Sequence, residues 1–181
     1  PLPGTDFSIR SLEDPTVEVE RGEAGEICIA GPQVMAGYWN KPEETENVFV
    51  GRFFRTGDVG YMDKEGFIFI VDRIKDMINA SGFKVYPRRI EDVLYEHPAV
   101  EEVTVIGIPD AYRGEAPKAF IKLKEGVQAT KAELIEFLRP RLSKIELPAE
   151  IEFRDSLPKT LVGKHSKKEL RAERAAKSQS A

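Results

Sequence analysis

Near Val71–Asp76, "VDRIKD", the hydrophobic pattern of this chain changes its period, and that change limits the folds open to it. Upstream, apolar and polar residues alternate over short stretches, the period of two that sends successive side chains to opposite faces of a strand. "FSIR", "VEVE" and "GEICIA" carry this pattern, as do "TGDVGYM" and "FIFIVDR", a pair joined through the turn residues "DKEG". Downstream, "YPRRIEDVLYEHP" sets Ile90, Val93, Leu94 and His97 at helical spacing, and Thr130 with Glu133 forms a capping-box pattern ahead of Leu134, Phe137 and Leu138. "VEEVTVIGIPD", "APKAFIKLKEG" and "AEIEFRD" read as strands around these helices. The pattern predicts a mostly β first half and an α+β second half, and 181 residues are enough for each to enclose a core.

Proline and serine mark the helix starts. Pro42 in "KPEETENVF" suits the first turn of a short surface helix with acidic residues behind it, Pro87 opens the helix that follows the boundary, and Ser166 with Glu169 caps a basic final helix expected to fray after about residue 174. The start of the chain on prolines and glycine, with no methionine, is expected for an interior stretch of a longer protein. A net charge of -4 argues against a nucleic-acid partner, which would call for a basic excess. From Ser156 onward, however, seven Lys or Arg stand against two Glu, so an anion can be met there. The one cysteine, Cys28, sits in "EICIA" and is expected as a buried thiol, which fits a reducing cytoplasm. No stretch approaches the roughly 20 apolar residues that span a bilayer, and the N-terminus does not resemble a signal peptide.

Four clusters carry candidate chemistry, each with a plainer reading beside it. In "RTGDVG", the glycine before Asp58 suits a tight turn whose carboxylate caps backbone amides, the preferred reading of that cluster alone; functionally, an acceptor-only carboxylate takes both hydroxyls of a ribose. "VDRIKD" reads first as a solvated ion-pair cluster, yet Arg73 offers a rigid fork of donors for a sugar or phosphate, and Lys75 sits where one half passes into the other, the place for a hinge. In "NASGFKVYP", Ser81 and Gly82 open a loop where backbone can approach a ligand closely, or form a plain turn. In "LPKTLVGKHSKKELR", Gly163 lets the loop bend and Lys164 places a compact ammonium at its tip; taken alone, a solvated basic face is the stronger reading.

Together, the order and spacing of these clusters resemble the C-terminal third of the adenylate-forming acyl-CoA synthetases over nearly the whole chain. "GEICIAGPQVMAGYWNKPEET", "FFRTGDVGYMDKEGFIFIVDRIKDMINASGFKVYP" and "LPKTLVGK" look like successive signature motifs of that superfamily. "GPQVMAGYW" and "SGFKVYP" look most like long-chain fatty acid–CoA ligases, whereas aryl and coumarate ligases tend toward a Gly-Gly-Glu-Asn form of that loop. The resemblance implies an α+β fold: the β-rich end of the large-domain barrel over residues 1–72, a hinge at 73–75, and a small mobile α+β domain, a short sheet packed by helices, over 76–181. It implies a two-step reaction in which ATP and a fatty acid give an acyl-adenylate and pyrophosphate, after which the CoA thiol displaces AMP. Lys164 would be the catalytic lysine of the first step, bridging carboxylate and phosphate as charge builds. Asp58 and Arg73 would hold the ribose of ATP and AMP, Lys75 would be the hinge, and Ser81, Gly82 and Phe83 would line the passage for the pantetheine arm of CoA. Mg2+ is expected with ATP in the full-length enzyme, and no metal site is expected within this chain.

Two departures from the family pattern stand out. After the lysine, relatives place apolar residues before a pair of arginines, but here "HSKK" follows, with His165 and Ser166 where a small hydrophobic anchor is expected. Where many relatives have "YKVP", this chain reads "IELP" at Ile145–Pro148. The Ser/Thr/Gly-rich phosphate loop, the aromatic-Gly-Thr-Glu motif and the acyl pocket of the large domain are not found, so the chain is expected to be a fragment inactive in adenylation by itself. The alternatives are another adenylate-forming enzyme, such as an aryl or medium-chain CoA ligase or one with a different acceptor, and a non-enzymatic module whose basic tail meets anionic lipid or a partner. A cytoplasmic location is expected, with peripheral association at the inner membrane face open to it.

Overall fold

A computed structural model of the chain describes residues 2–179, with side chains to residue 176. It divides into two compact units, Pro1–Lys75 and Asp76–Ala181. The first is an antiparallel sheet. Strands β1 (Asp6–Arg10), β2 (Gly25–Ala30), β3 (Phe49–Val50) and β4 (Phe53–Met62) lie in the order β1-β2-β4-β3, and β5 (Ile68–Arg73) also pairs with β4. The short helix α1 (Pro42–Asn47) begins on its proline, with Glu43 and Glu44 in the first turn where the helix dipole favours them. "VEVE" does not extend the sheet. Val19 N donates to Ile9 O and Ser11 N to Val17 O, and Glu18 makes one isolated bridge to Arg10. Val17 stays half exposed with nothing apolar to cover it, so the pairing stops there.

The second unit opens on a 3-10 turn (Ile74–Asp76 spans the boundary) and continues through β6 (Ile78–Ala80), β7 (Phe83–Val85), α2 (Pro87–Tyr95), β8 (Val100–Asp110), β9 (Gly114–Leu123), α3 (Lys131–Leu138), β10 (Glu150–Phe153) and α4 (Lys167–Gln179). Its sheet has the order β10-β9-β6-β7 with β8 on β9; β10 runs parallel to β9 and the other pairs are antiparallel. Both faces are covered. Val103 and Val105 of β8 with Ala119 and Ile121 of β9 pack on Ile90 and Leu94 of α2 and Leu134 and Leu138 of α3. One residue out of phase, Ile106, Ile108 and Phe120 form a second cluster with Leu157 and Leu170 of α4. Each large apolar side chain so buried contributes roughly 1.5–3 kcal/mol before entropy is counted.

The helix ends follow the sequence. Thr130 Oγ1 accepts from Glu133 N, and the Glu133 carboxylate returns to Thr130 N, completing the capping box. At α4, Ser166 Oγ accepts from Glu169 N at 3.4 Å, while Ser166 N donates to Pro158 O, so only half of a box forms there. The α4 helix continues past residue 174 to Gln179, because neither Gly nor Pro interrupts its last turns; residues 180–181 of the expected frayed tail lie outside those described.

Candidate active-site elements

In the first unit, Asp58 and Arg73 face each other across the β4–β5 ladder, with Arg73 Nε 3.3 Å from Asp58 Oδ1. The "RTGDVG" segment is not a turn, contrary to its preferred reading in isolation. It lies inside the ten-residue strand β4, bulged where Glu26 and Cys28 of β2 are opposed by Val59 and Arg55. The bulge is tied down by a residue that sequence inspection passed over. Glu26, 2% exposed, accepts from Gly57 N at 3.1 Å and from Arg55 Nε at 2.8 Å. Thr56 Oγ1 donates to Ile27 O at 2.7 Å and accepts from Asp58 N at 3.1 Å. The Asp58 carboxylate is thus held at a fixed place beside the Arg73 fork. The available signal was Glu26 itself, a carboxylate in the apolar run "GEICIA".

Lys75 is exposed and sits in the 3-10 turn at the junction of the two units. In the second unit, Ser81 and Gly82 form the two-residue turn between β6 and β7, with Ala80 paired to Phe83. Both have positive φ, +54° and +83°, the geometry of a type I′ hairpin turn. Ser81 N donates to Arg113 O at 2.7 Å, anchoring the turn to the β8–β9 connection. A Cβ added at Gly82 meets nothing within 4 Å, so glycine answers here to the backbone angle and not to crowding within this chain. Phe83 projects outward, 63% exposed.

Lys164 ends a five-residue loop whose base is an antiparallel bridge between Lys159 and His165. The loop closes on itself: Gly163 N donates to Thr160 O at 2.8 Å, Thr160 N to Lys164 O at 2.7 Å, and Lys164 N to Thr160 Oγ1 at 3.2 Å. Gly163 has φ +79°, a left-handed position that lets the chain return toward β8. Leu161 and Val162 at the tip are fully and 80% exposed. The flanking lysines are engaged, Lys159 with Glu102 and Lys167 with Glu91, whereas Lys164 is exposed and makes no ion pair with the described residues. His165 and Ser166, the departures from the apolar pattern, are used: His165 Nδ1 lies 2.7 Å from Thr104 Oγ1, and Ser166 caps α4. Ile145 and Leu147 of "IELP" pack against the α2–α3 core, and Glu146 pairs with Arg89 at 2.9 Å. Among the described residues no group of three or more His, Cys, Asp or Glu is placed to hold a metal ion.

Residues 89–164 match the AMP-binding enzyme C-terminal domain. Over most of its length the chain is also similar to part of several larger enzymes. It is 51% identical over 170 residues to a long-chain-fatty-acid–CoA ligase of Bacillus subtilis, covering 94% of this chain and 30% of that protein. To the ligase of the same name from Escherichia coli it is 46% identical over 173 residues, 96% of this chain and 30% of the other. To a 2-succinylbenzoate–CoA ligase of Geobacillus kaustophilus it is 44% identical over 149 residues, 82% and 30% of the two chains. The crystal structure of ATP-bound MatB from Rhodopseudomonas palustris superposes with a TM-score of 0.90 at 36% identity, over 95% of this chain and 34% of that one. The chain therefore spans about 30% of the length of the curated relatives it matches.

Proposed function

We propose that this chain is the C-terminal part of an AMP-forming long-chain fatty acid–CoA ligase, contributing the adenylation lysine, the hinge and the CoA-side turn. Residues 1–72 serve as the last β subdomain of the large domain, 73–75 as the hinge and 76–181 as the small domain. The open apolar groove on the first unit, about 950 Å3 and lined by Phe7, Ile29, Phe53, Phe67 and Ile70 among others, is consistent with a sheet that packs against further structure in the whole protein.

The observation that carries this reading is the state of Lys164, exposed and unpaired between two lysines that carboxylates hold. A cation kept out of local ion pairs is available to a ligand. Joining a fatty carboxylate to the α-phosphorus of ATP brings two anions together, and an ammonium between them stabilises the charge that builds in the transition state. Asp58 accepts from the ribose hydroxyls, and the Arg73 fork supplies donors to the same sugar. Lys75 absorbs the rotation that withdraws Lys164 before thioester formation, and Ser81, Gly82 and Phe83 then border the pantetheine arm. Mg2+ would accompany the nucleotide in the whole protein and help neutralise its phosphates. The location proposed is the cytoplasm; no described helix is long and apolar enough to cross a membrane, and the basic tail supports peripheral contact with anionic lipid.

In the complete polypeptide, Lys164→Ala slows acyl-adenylate formation by about a hundredfold or more while thioester formation from supplied acyl-adenylate keeps its rate. Gly82→Leu does the reverse. Assaying the two half-reactions separately checks both, and loss of the same step in both variants refutes the division of roles. A second reading, an adenylate-forming enzyme for a different acid, rests on the 44% identity to the succinylbenzoate ligase. Rates with acids of graded chain length against aryl acids decide between the two.

A further inference from the structure

The loop that carries Lys164 rests on a row of β8 side chains to which the reading above assigns no role. Residues of one parity on β8 point to one face of the sheet. On the α4 face, Ile106 and Ile108 join the apolar cluster with Leu157 and Leu170. Thr104 and Glu102 continue the same row toward the lysine loop, and there the row turns polar. Thr104 is 1% exposed, and its hydroxyl lies 2.7 Å from His165 Nδ1. A buried hydroxyl left without a partner is unfavourable, so the imidazole is drawn to one place. One oxygen of Glu102 takes the Lys159 ammonium and the other lies 3.5 Å from His165 Nε2. Lys159 and His165 are the two residues of the bridge that forms the base of the loop. A single carboxylate from β8 therefore touches both arms.

We propose that Glu102, Thr104 and His165 are positioning residues for Lys164, a polar clamp that fixes where its ammonium is presented during acyl-adenylate formation. The inference rests on the role given to Lys164 above. His165 follows Lys164 directly, their Cα atoms about 3.8 Å apart, so holding the imidazole restrains the backbone from which the lysine side chain springs. The hydrogen bond from Lys159 holds the Glu102 carboxyl below its ordinary range against the opposing effect of burial, as expected for a carboxylate that stays ionised in this place. The clamp is separable from the fold, because α4 has its own anchors, Leu170 in the core and Lys167 on Glu91 at 2.9 Å.

The test uses Thr104→Val and His165→Leu, which delete the contact, beside Thr104→Ser and His165→Asn, which keep a polar partner. In the complete polypeptide the first two lower kcat for acyl-adenylate formation about tenfold or more, as a misplaced group does, with KM for ATP and thioester transfer from supplied acyl-adenylate unchanged. The second two recover most of the rate. Amide hydrogen exchange on this chain gives an independent readout: Gly163 and Lys164 lose protection in Thr104→Val and His165→Leu while Leu170 keeps its own. Wild-type kcat in those two variants, with Lys164→Ala defective, overturns the clamp and leaves the role of Lys164 standing. Undiminished adenylation in Lys164→Ala removes both. Equal loss of protection at all three amides, including outright unfolding, assigns the contact to general stability and also overturns the proposal.

Discussion

Cys28 is wholly enclosed between β1 and β4, and burial pushes its thiol up to about 11, with the neighbouring Glu26 carboxylate adding to the shift. A thiol so raised is protonated near neutrality, and only the thiolate attacks electrophiles. In the folded chain at pH 8, a colorimetric thiol reagent should therefore register almost no reaction, and one equivalent should react once denaturant is added. Rapid labelling under native conditions would mean that the first sheet opens readily. At this scale the sequence was partly informative. The apolar neighbours of Cys28 announced its burial, and Gly163 and Lys164 stood out by adjacency. Glu26 and Thr104 did not, because a buried polar side chain is recognised by its partner, and those partners lie 31 positions away at Gly57 and 61 away at His165.

Among the elements, α4 illustrates how a mostly polar helix is held by few contacts. Arg171 pairs with Asp76 at 2.9 Å and Lys167 with Glu91, and among its described side chains Leu170 is the one committed fully to the core. Leu170→Ala should cost about 2–5 kcal/mol, read as a lower midpoint in denaturant unfolding. A cost near zero would mean that α4 is not docked as described. The longer elements were legible because period and caps agreed: Pro42, Pro87 and the Thr130–Glu133 box each mark a real helix start. The short ones were not. β6 and β7 are three residues each, too brief to display a period, and they exist because Ser81 and Gly82 turn the chain and Ala80 pairs with Gly114 of β9. "VEVE" shows the opposite error, since alternation without an apolar surface to cover yields one bridge and no strand.

For the whole molecule, the two units differ in how complete their cores are. The second covers both faces of its sheet, whereas the first leaves Phe67 and Ile70 exposed at 65% and 59%. A polypeptide beginning at Asp76 should fold cooperatively by itself, giving a single thermal transition by circular dichroism; a broad, non-cooperative melt would show that its core needs the rest of the chain. The division between the two units falls at Lys75–Asp76, inside "VDRIKD", while the arrangement within each sheet depended on distant pairings that no local pattern encodes. One of those arrangements matters in concentrated solution. The outer side of β8 pairs with no strand, but Val105 N donates to Glu91 Oε1 at 2.7 Å and Val103 N reaches the Tyr95 hydroxyl at 3.4 Å. With those two amides occupied by side chains of α2, a second copy sliding alongside finds fewer donors to zip onto, so this border of the second unit is partly shielded from strand addition without a covering strand.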